Sequence, residues 1–180
     1  MVPKFSFLTK GKGVSKEKLT SFEMALRDAG IAEFNLVKVS SIMPPFCKII
    51  SKKEGLKKLS PGQIVYVVLS ESATNEHGRK VAASVGIAMP ADRSQHGYLS
   101  EHHSFGQSKK EAGGYAEDLA AYMLATTLGA PFDADKNYNE QKDIWKISGH
   151  TVKTRELTSF GEGPKDGNWI TVLSAMVLII

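Results

Sequence analysis

Two adjacent serines, Ser40 and Ser41, stand in the stretch Asn35-Leu-Val-Lys-Val-Ser-Ser-Ile-Met-Pro-Pro45. Their chemistry needs no bound cofactor. A serine hydroxyl can attack the carbonyl of the residue before it and turn the amide into an ester. Elimination then breaks the chain and leaves dehydroalanine, which hydrolyses to a pyruvoyl group, so the protein would make its own ketone. Such a nucleophile needs local activation and donors aimed at the developing oxyanion. Asn35, a few residues upstream, carries an amide donor suited to that task. The plainer reading of the same residues is a strand end before a turn, with Pro44 and Pro45 enforcing an extended exit.

Two carboxylates lie where the pattern makes them conspicuous. In the strand expected over Gly97 to His103, alternation puts Leu99, Glu101 and His103 on one face and Tyr98, Ser100 and His102 on the other. A carboxylic acid held among apolar side chains stays protonated nearer neutrality than a solvated one and can act as a general acid. Glu101 has that role if the face it shares with Leu99 is covered, and none if the face is open. Glu23 lies on or beside the apolar stripe Leu19, Phe22 and Leu26 of the first helix, with Arg27 four residues on as a surface partner. Because neighbouring strand residues point apart, Glu101-His102-His103 offers only Glu101 and His103 together, too few for a zinc site. Gly11-Lys-Gly13 is too short for a phosphate loop, and no Gly-x-Ser-x-Gly elbow is present.

The elements that must position these residues are few helices and many strands. Ser15 is the expected cap of a helix ending at Ala29, with Gly30 as its left-handed exit. Phe34 to Val39 is the next element, and the two serines sit at its end. Gln63 to Leu69 and Lys80 to Ala88 read as strands joined by the polar turn Ser72 to Gly78. Ser108 and Glu111 form a capping box for a second helix whose stripe is Ala112, Tyr115, Ala116, Leu119 and Met123, ended by Gly129 and Pro131. Asp133 to Asp143 reads as a polar loop. Ile144 to Lys153 and Asn168 to Ile179 read as strands, separated by a loop containing Gly161, Gly163, Pro164 and Gly167. The sum is an α+β chain with sheets covered by helices.

Composition narrows the class. The 180 residues are 42% apolar, enough for the core of one domain, and the net charge is a modest +4. Lys48, Lys52, Lys53, Lys57 and Lys58 cluster without interleaved aromatics, a weak signal for nucleic acid, and none is expected as a partner. The lone Cys47 excludes an intrachain disulfide. The opening residues lack a targeting segment, and the apolar run from Trp169 to Ile180 is too short to span a bilayer as a helix, so a cytoplasmic chain with no membrane partner is expected.

The string from Asn35 to Pro45 resembles the self-cleavage site of the pyruvoyl-dependent arginine decarboxylases. Phe22-Glu-Met-Ala-Leu-Arg-Asp-Ala-Gly-Ile31 is similar to that family's first helix. Val81-Ala-Ala-Ser-Val-Gly-Ile-Ala-Met-Pro90, Gly97-Tyr-Leu-Ser-Glu101 and Ser108-Lys-Lys-Glu-Ala112 then follow in the family's order. The likeness is close from residue 14 to residue 129 and a matter of pattern beyond.

The resemblance implies a four-layer αββα sandwich, a single domain over residues 1–180 assembled as a trimer. It implies self-cleavage into residues 1–40 and 41–180, with a covalent pyruvoyl group derived from Ser41 as the cofactor. The implied reaction is decarboxylation of L-arginine to agmatine and CO2. Ser40, Ser41, Asn35 and Glu101 fall on catalytic positions, Glu101 as proton donor, and Glu23 and Ile42 on substrate-binding ones. The family has an aspartate where Glu23 stands, so the charge is kept on a side chain one methylene longer. Another amino acid, lysine or ornithine, remains an alternative substrate. So does an unprocessed oligomeric scaffold or basic-surface binding protein.

Overall fold

The computed structural model describes residues 1–129, 144–147 and 150–180; the expected loop Asp133 to Asp143 lies outside them. The elements run β1 (Phe5–Ser15), α1 (Lys18–Ala29), β2 (Asn35–Lys38), β3 (Ile42–Met43), β4 (Lys48–Ile49), α2 (Lys52–Leu56) and β5 (Ile64–Thr74). They continue with β6 (Lys80–Pro90), β7 (Gly97–Phe105), α3 (Lys109–Thr127), β8 (Ile144–Ile147), β9 (His150–Glu162) and β10 (Trp169–Ile179). Among the described residues these make two five-stranded sheets, ordered β2-β5-β10-β1-β4 and β3-β7-β6-β9-β8. The first is mixed, since β4 and β2 run parallel to β1 and β5 while β10 is antiparallel to both. The second is antiparallel throughout. The chain is one domain of the α+β class.

Strand β10 shows why the sheets stack. Ile170 to Ile179 are buried without a break, as expected of a strand covered on both faces. Leu173, Ala175, Val177 and Ile179 pack with Phe7, Ala25 and Ala29 on the α1 side. Met176 and Leu178 pack the other way, with Met43, Cys47, Val85, Ile87 and Leu99 between the sheets. On the far side of the second sheet, Ala88 and Val152 meet Ala120, Ala121, Leu124 and Ala125.

Both long helices dock mainly by small residues: of the expected stripes Ala112 and Ala116 of α3 are buried, and the larger residues are at most partly so. The buried face of α1 is Ser21, Ala25 and Ala29, with Phe22 and Leu26 partly buried, whereas Leu19 is 77% exposed. The cause lies across the interface: Gly11 and Gly13 of β1 have no side chain to hold the helix off, and a methyl at either would land on the carbonyl of Ala25 or Ser21. The close approach admits hydrogen bonds from Thr9 Oγ1 to Ala29 O and between Ser21 Oγ and Thr171 Oγ1, each 2.6 Å. The second sheet repeats the device. Gly86 gives way to the Ala116 carbonyl, and Ser100 Oγ donates to that same carbonyl. Helix α3 therefore buries Ala112, Gly113, Ala116 and Ala120 and leaves Tyr115 exposed.

Element boundaries differ from the sequence reading in places. Residues 5–15, unassigned from sequence, form β1, so Ser15 ends a strand and Glu17 occupies the N-cap of α1 without a side-chain bond. The left-handed Gly30 stands as expected, at φ 72°. The Ser108 and Glu111 capping box is present, and hydrogen bonds from the Ser108 backbone and side chain hold the Glu111 carboxyl below its usual range. Ile144 to Lys153 is two antiparallel strands rather than one, with Ile147 opposite His150. Gly161 belongs to β9 rather than to the loop.

The glycine notch predicts opposite signs for two similar substitutions, measured by denaturant unfolding. Gly11→Ala should destabilise by about 1–3 kcal/mol through overpacking. Gly114→Ala, in α3 with open space at its Cβ, should stabilise by about 0.5–1 kcal/mol. Equal effects would mean that the notch does not set the helix position.

Candidate active site

The two serines lie where the chain passes from one sheet to the other. Val39 N–H donates to Val67 O in the first sheet at 3.0 Å, and Ser41 O accepts from Leu99 N–H in the second at 2.8 Å. Stacked sheets lie about 10 Å apart, so the Ser40–Ser41 peptide crosses with a tether immediately on either side. Beyond it, Ile42 and Met43 pair with Tyr98 and Gly97 of β7.

At this crossing Ser41 Oγ donates to Glu101 Oε2 at 2.9 Å. Ile42 N–H donates to Ser40 O at 3.0 Å, folding a tight turn around Ser41. A serine hydroxyl thus faces a proton acceptor, and the carbonyl it would attack already holds a main-chain donor. Glu101 shares the face of Leu99, as alternation requires. Leu99 is fully buried between the sheets, but Glu101, opposite Val85 in β6, is exposed, so one copy of the chain does not supply the apolar surroundings expected for it. A cavity of about 320 Å³ opens beside Ser40 and Ile42, walled by Val39, Pro44, Tyr66 and Leu178.

The other expected site residues stand elsewhere. Asn35 begins β2, on the order of 15 Å from Ser40 at the usual rise of a strand, and its Nδ2 donates to Gly62 O at 2.7 Å. Glu23 lies on the outer side of α1, where Oε1 accepts from Arg27 Nε at 2.6 Å, the surface pair that the spacing allows. His102 faces away from Glu101, bonded to Gln107 at 2.8 Å with its ring centroid 4.5 Å from that of Tyr115. Among the described residues no three His, Cys, Asp or Glu side chains gather as metal ligands. No helix among them is long and apolar enough to cross a membrane.

A model of the pyruvoyl-dependent arginine decarboxylase family matches residues 5–180. The chain belongs to that family. A pyruvoyl-dependent arginine decarboxylase of Nitrosopumilus maritimus is 55% identical over 180 residues, covering all of this chain and 98% of the relative. That of Methanococcoides burtonii is 54% identical with both chains covered in full. A probable pyruvoyl-dependent arginine decarboxylase of Chloroherpeton thalassium is 55% identical over 178 residues, covering 99% of this chain and 98% of the relative.

For a pyruvoyl-dependent decarboxylase the prosthetic ketone must come from somewhere, and the residues at the crossing fit its formation from Ser41. The hydroxyl, its acceptor and the attacked carbonyl's donor are side by side. Two of the contacts escaped sequence reasoning because they are main-chain groups: the Leu99 N–H on Ser41 O and the Ile42 N–H on Ser40 O carry no residue-type signature. Past the strand end the chain makes a turn, as the plainer reading of these residues expects. Cys47 N–H donates to Pro44 O at 3.2 Å, closing a turn with Pro45 second and Phe46 third at φ 56°. Proline at the second position is what such a turn favours.

Proposed function

We propose that this chain cuts itself between Ser40 and Ser41, converts Ser41 to a covalent pyruvoyl group, and decarboxylates L-arginine to agmatine and CO2. The observation that carries this reading is the hydrogen bond of 2.9 Å from Ser41 Oγ to Glu101 Oε2 beside the Ser40 carbonyl. The names of the relatives supply the substrate.

In the first step Ser41 Oγ bonds to the Ser40 carbonyl carbon while the carbon–nitrogen bond breaks. The hydroxyl proton passes by way of Glu101 to the departing amine, and Ile42 N–H faces the oxygen on which negative charge develops. Loss of the Ser41 α-proton with cleavage of the Cβ–O bond then frees the Ser40 carboxylate and leaves dehydroalanine. Tautomerisation and hydrolysis release ammonia and leave the ketone at residue 41. That pyruvoyl group supplies the electron sink for loss of CO2. Glu101 stays beside residue 41 to deliver a proton to the substrate α-carbon. The apolar walls of Val39, Pro44 and Tyr66 suit an aliphatic side chain, and Ile42 closes the same cavity.

Glu23 is the proposed partner of the substrate guanidinium, and its carboxylate already takes one from Arg27. Because Glu23 and Asn35 stand apart from Ser41 within one copy, the reading places the complete site between copies in a trimer of four-layer αββα domains. A neighbour would bring the carboxylate and amide to Ser41 and cover the exposed Glu101. Residues 1–40 and 41–180 are then the two chains of each domain, and no metal takes part.

The intact mass of the purified protein tests the first step. It should show two fragments divided between Ser40 and Ser41, the larger resisting Edman degradation, and Ser41→Ala should remain whole and inactive. A wild-type chain that stays single after prolonged warm incubation would sink the proposal. Glu101→Gln keeps the size but cannot carry a proton. Splitting should slow, and CO2 release per split chain should fall by roughly 10² to 10⁴; unchanged turnover would make Glu101 a bystander. For the substrate, Glu23→Gln should weaken arginine use by about 1.5–3 kcal/mol, mostly in KM, and leave splitting intact. Labelled-CO2 release from arginine, lysine and ornithine reads this directly. Preference for another amino acid with indifference to Glu23 would return that residue to its surface pair with Arg27.

A further inference from the structure

Downstream of Ser41 the chain is held by little secondary structure. Strand β3 is two residues long, and β4, also two residues, begins only at Lys48. Between them the turn Pro44 to Cys47 places Phe46 at φ 56°, the one non-glycine residue with positive φ among the described residues. A side chain with a Cβ disfavours that region, so the surroundings must impose it. They include Arg93, reached through the loop that joins β6 to β7. Its carbonyl accepts Phe46 N–H at 3.0 Å, and its Nη2 donates to Cys47 O at 2.7 Å. One residue thus grips two consecutive residues of the turn, by its main chain and by its side chain.

The loop that carries Arg93 is itself ordered. Asp92 Oδ1 accepts from Ser94 N–H at 2.9 Å and from Ser94 Oγ at 2.7 Å, while Gln95 N–H donates to Asp92 O at 3.2 Å. Cys47 is fully buried in the inter-sheet core, so the turn has an anchor on the inside as well. The loop leads directly into β7, the strand that supplies both Leu99 N–H and Glu101. The grip therefore ties the segment leaving Ser41 to the same strand that holds the carbonyl and hydroxyl of Ser41.

We propose that Arg93 is a positioning residue for self-cleavage, clamping the Pro44 to Cys47 turn so that the Ser41 hydroxyl is held against both Glu101 and the Ser40 carbonyl. The inference rests on the self-cleavage reading. Arg93 touches none of the reacting atoms. Its part is to remove the freedom that β3 alone leaves at Ile42 and Met43, which keeps the hydroxyl near its attack geometry.

The test is a time course of splitting, followed by intact mass, for wild type, Ser41→Ala, Arg93→Met, Arg93→Lys and the double variant Arg93→Met/Phe46→Gly. Misplacement of reacting groups by a remote change can cost up to about a hundredfold, and Arg93→Met should split roughly ten- to a hundredfold more slowly. Arg93→Lys, which keeps a donor for Cys47 O, should fall between. Glycine adopts positive φ without steric cost, so Phe46→Gly should restore part of the lost rate. A purely structural loss in the loop around Arg93 would not be repaired from position 46. Hydroxylamine, which cleaves esters but not amides, should not restore the rate of Arg93→Met, because the fault precedes the ester. CO2 release per split chain should fall less than splitting does. Circular dichroism in the Ser41→Ala background checks that Arg93→Met folds; if it does not, Arg93→Lys alone and combined with Phe46→Gly carry the comparison. Splitting of a folded Arg93 variant at the wild-type rate, or a slow rate that Phe46→Gly leaves unchanged, would overturn the proposal. A wild-type chain that never splits would instead overturn the self-cleavage reading and leave the clamp as a structural contact.

Discussion

The passage of the chain from one sheet to the other at Ser40 and Ser41 is the constraint around which the molecule is organised. Val39 is bonded to β5 and Ser41 to β7, so the peptide between the serines lies in a short stretch of backbone joining two independently hydrogen-bonded strands. Freedom of the hydroxyl is small because both flanks are fixed, and the sheets they belong to are fixed in turn by a shared core of Met43, Cys47, Val85, Ile87, Leu99, Met176 and Leu178. Interiors packed to crystal-like density transmit such restraint with little give. Chemistry that depends on tenths of an ångström can be built from ordinary residues when the frame is this closed.

The frame is closed from outside by two helices that sit unusually low. Gly11, Gly13 and Gly86 let the helix backbones of α1 and α3 approach the sheets, and Thr9, Ser21 and Ser100 add hydrogen bonds across the contact. A helix seated on small residues turns its larger side chains outward. That is why Leu19 and Tyr115 are exposed although periodicity counts them with the apolar stripe. Exposed Leu19 beside Glu23 leaves an apolar wall and a carboxylate on the outer side of α1, a surface better suited to meeting another molecule than to building this domain's core.

Periodicity and turn chemistry made most elements legible: the Gly30 exit of α1, the Ser108 and Glu111 box of α3, and the long apolar strands β5, β6 and β10 could be read from residue order. What could not be read depended on partners distant in sequence. Strand β1 contains Lys10, Gly11, Lys12 and Gly13, which weaken its pattern, and it is a strand because β10 pairs with it along its whole length. The break of Ile144 to Lys153 into two strands lies in pairing, not in composition. At the site, Ser41 and Glu101 were found from residue types and a family likeness, but their juxtaposition needed β3 to pair with β7. Asn35 and Glu23 were legible as residues, whereas their distance from Ser41 within one copy was not. Main-chain donors such as Ile42 N–H have no letter of their own.

The same pairing decides what a cut between the serines would do to the fold. Residues 1–40 hold β1, α1 and β2, and everything else belongs to residues 41–180. Strand β1 lies inside its sheet and matches β10 from Phe5 opposite Ile179 to Ser15 opposite Trp169, while β2 matches β5 from Asn35 to Lys38. Phe7, Ala25, Ala29 and Ile31 are fully buried against residues of the larger piece. Breaking one surface peptide removes none of these contacts. It relaxes the tether at Ser40, where Ile42 N–H is the neighbouring hold on the carbonyl, and leaves the new end at residue 41 held by Leu99 N–H, by β3 and by the turn beyond it that Arg93 grips. The piece that would carry the ketone thus keeps its position relative to Glu101, and the freedom gained by the cut falls on the side that has finished its chemistry.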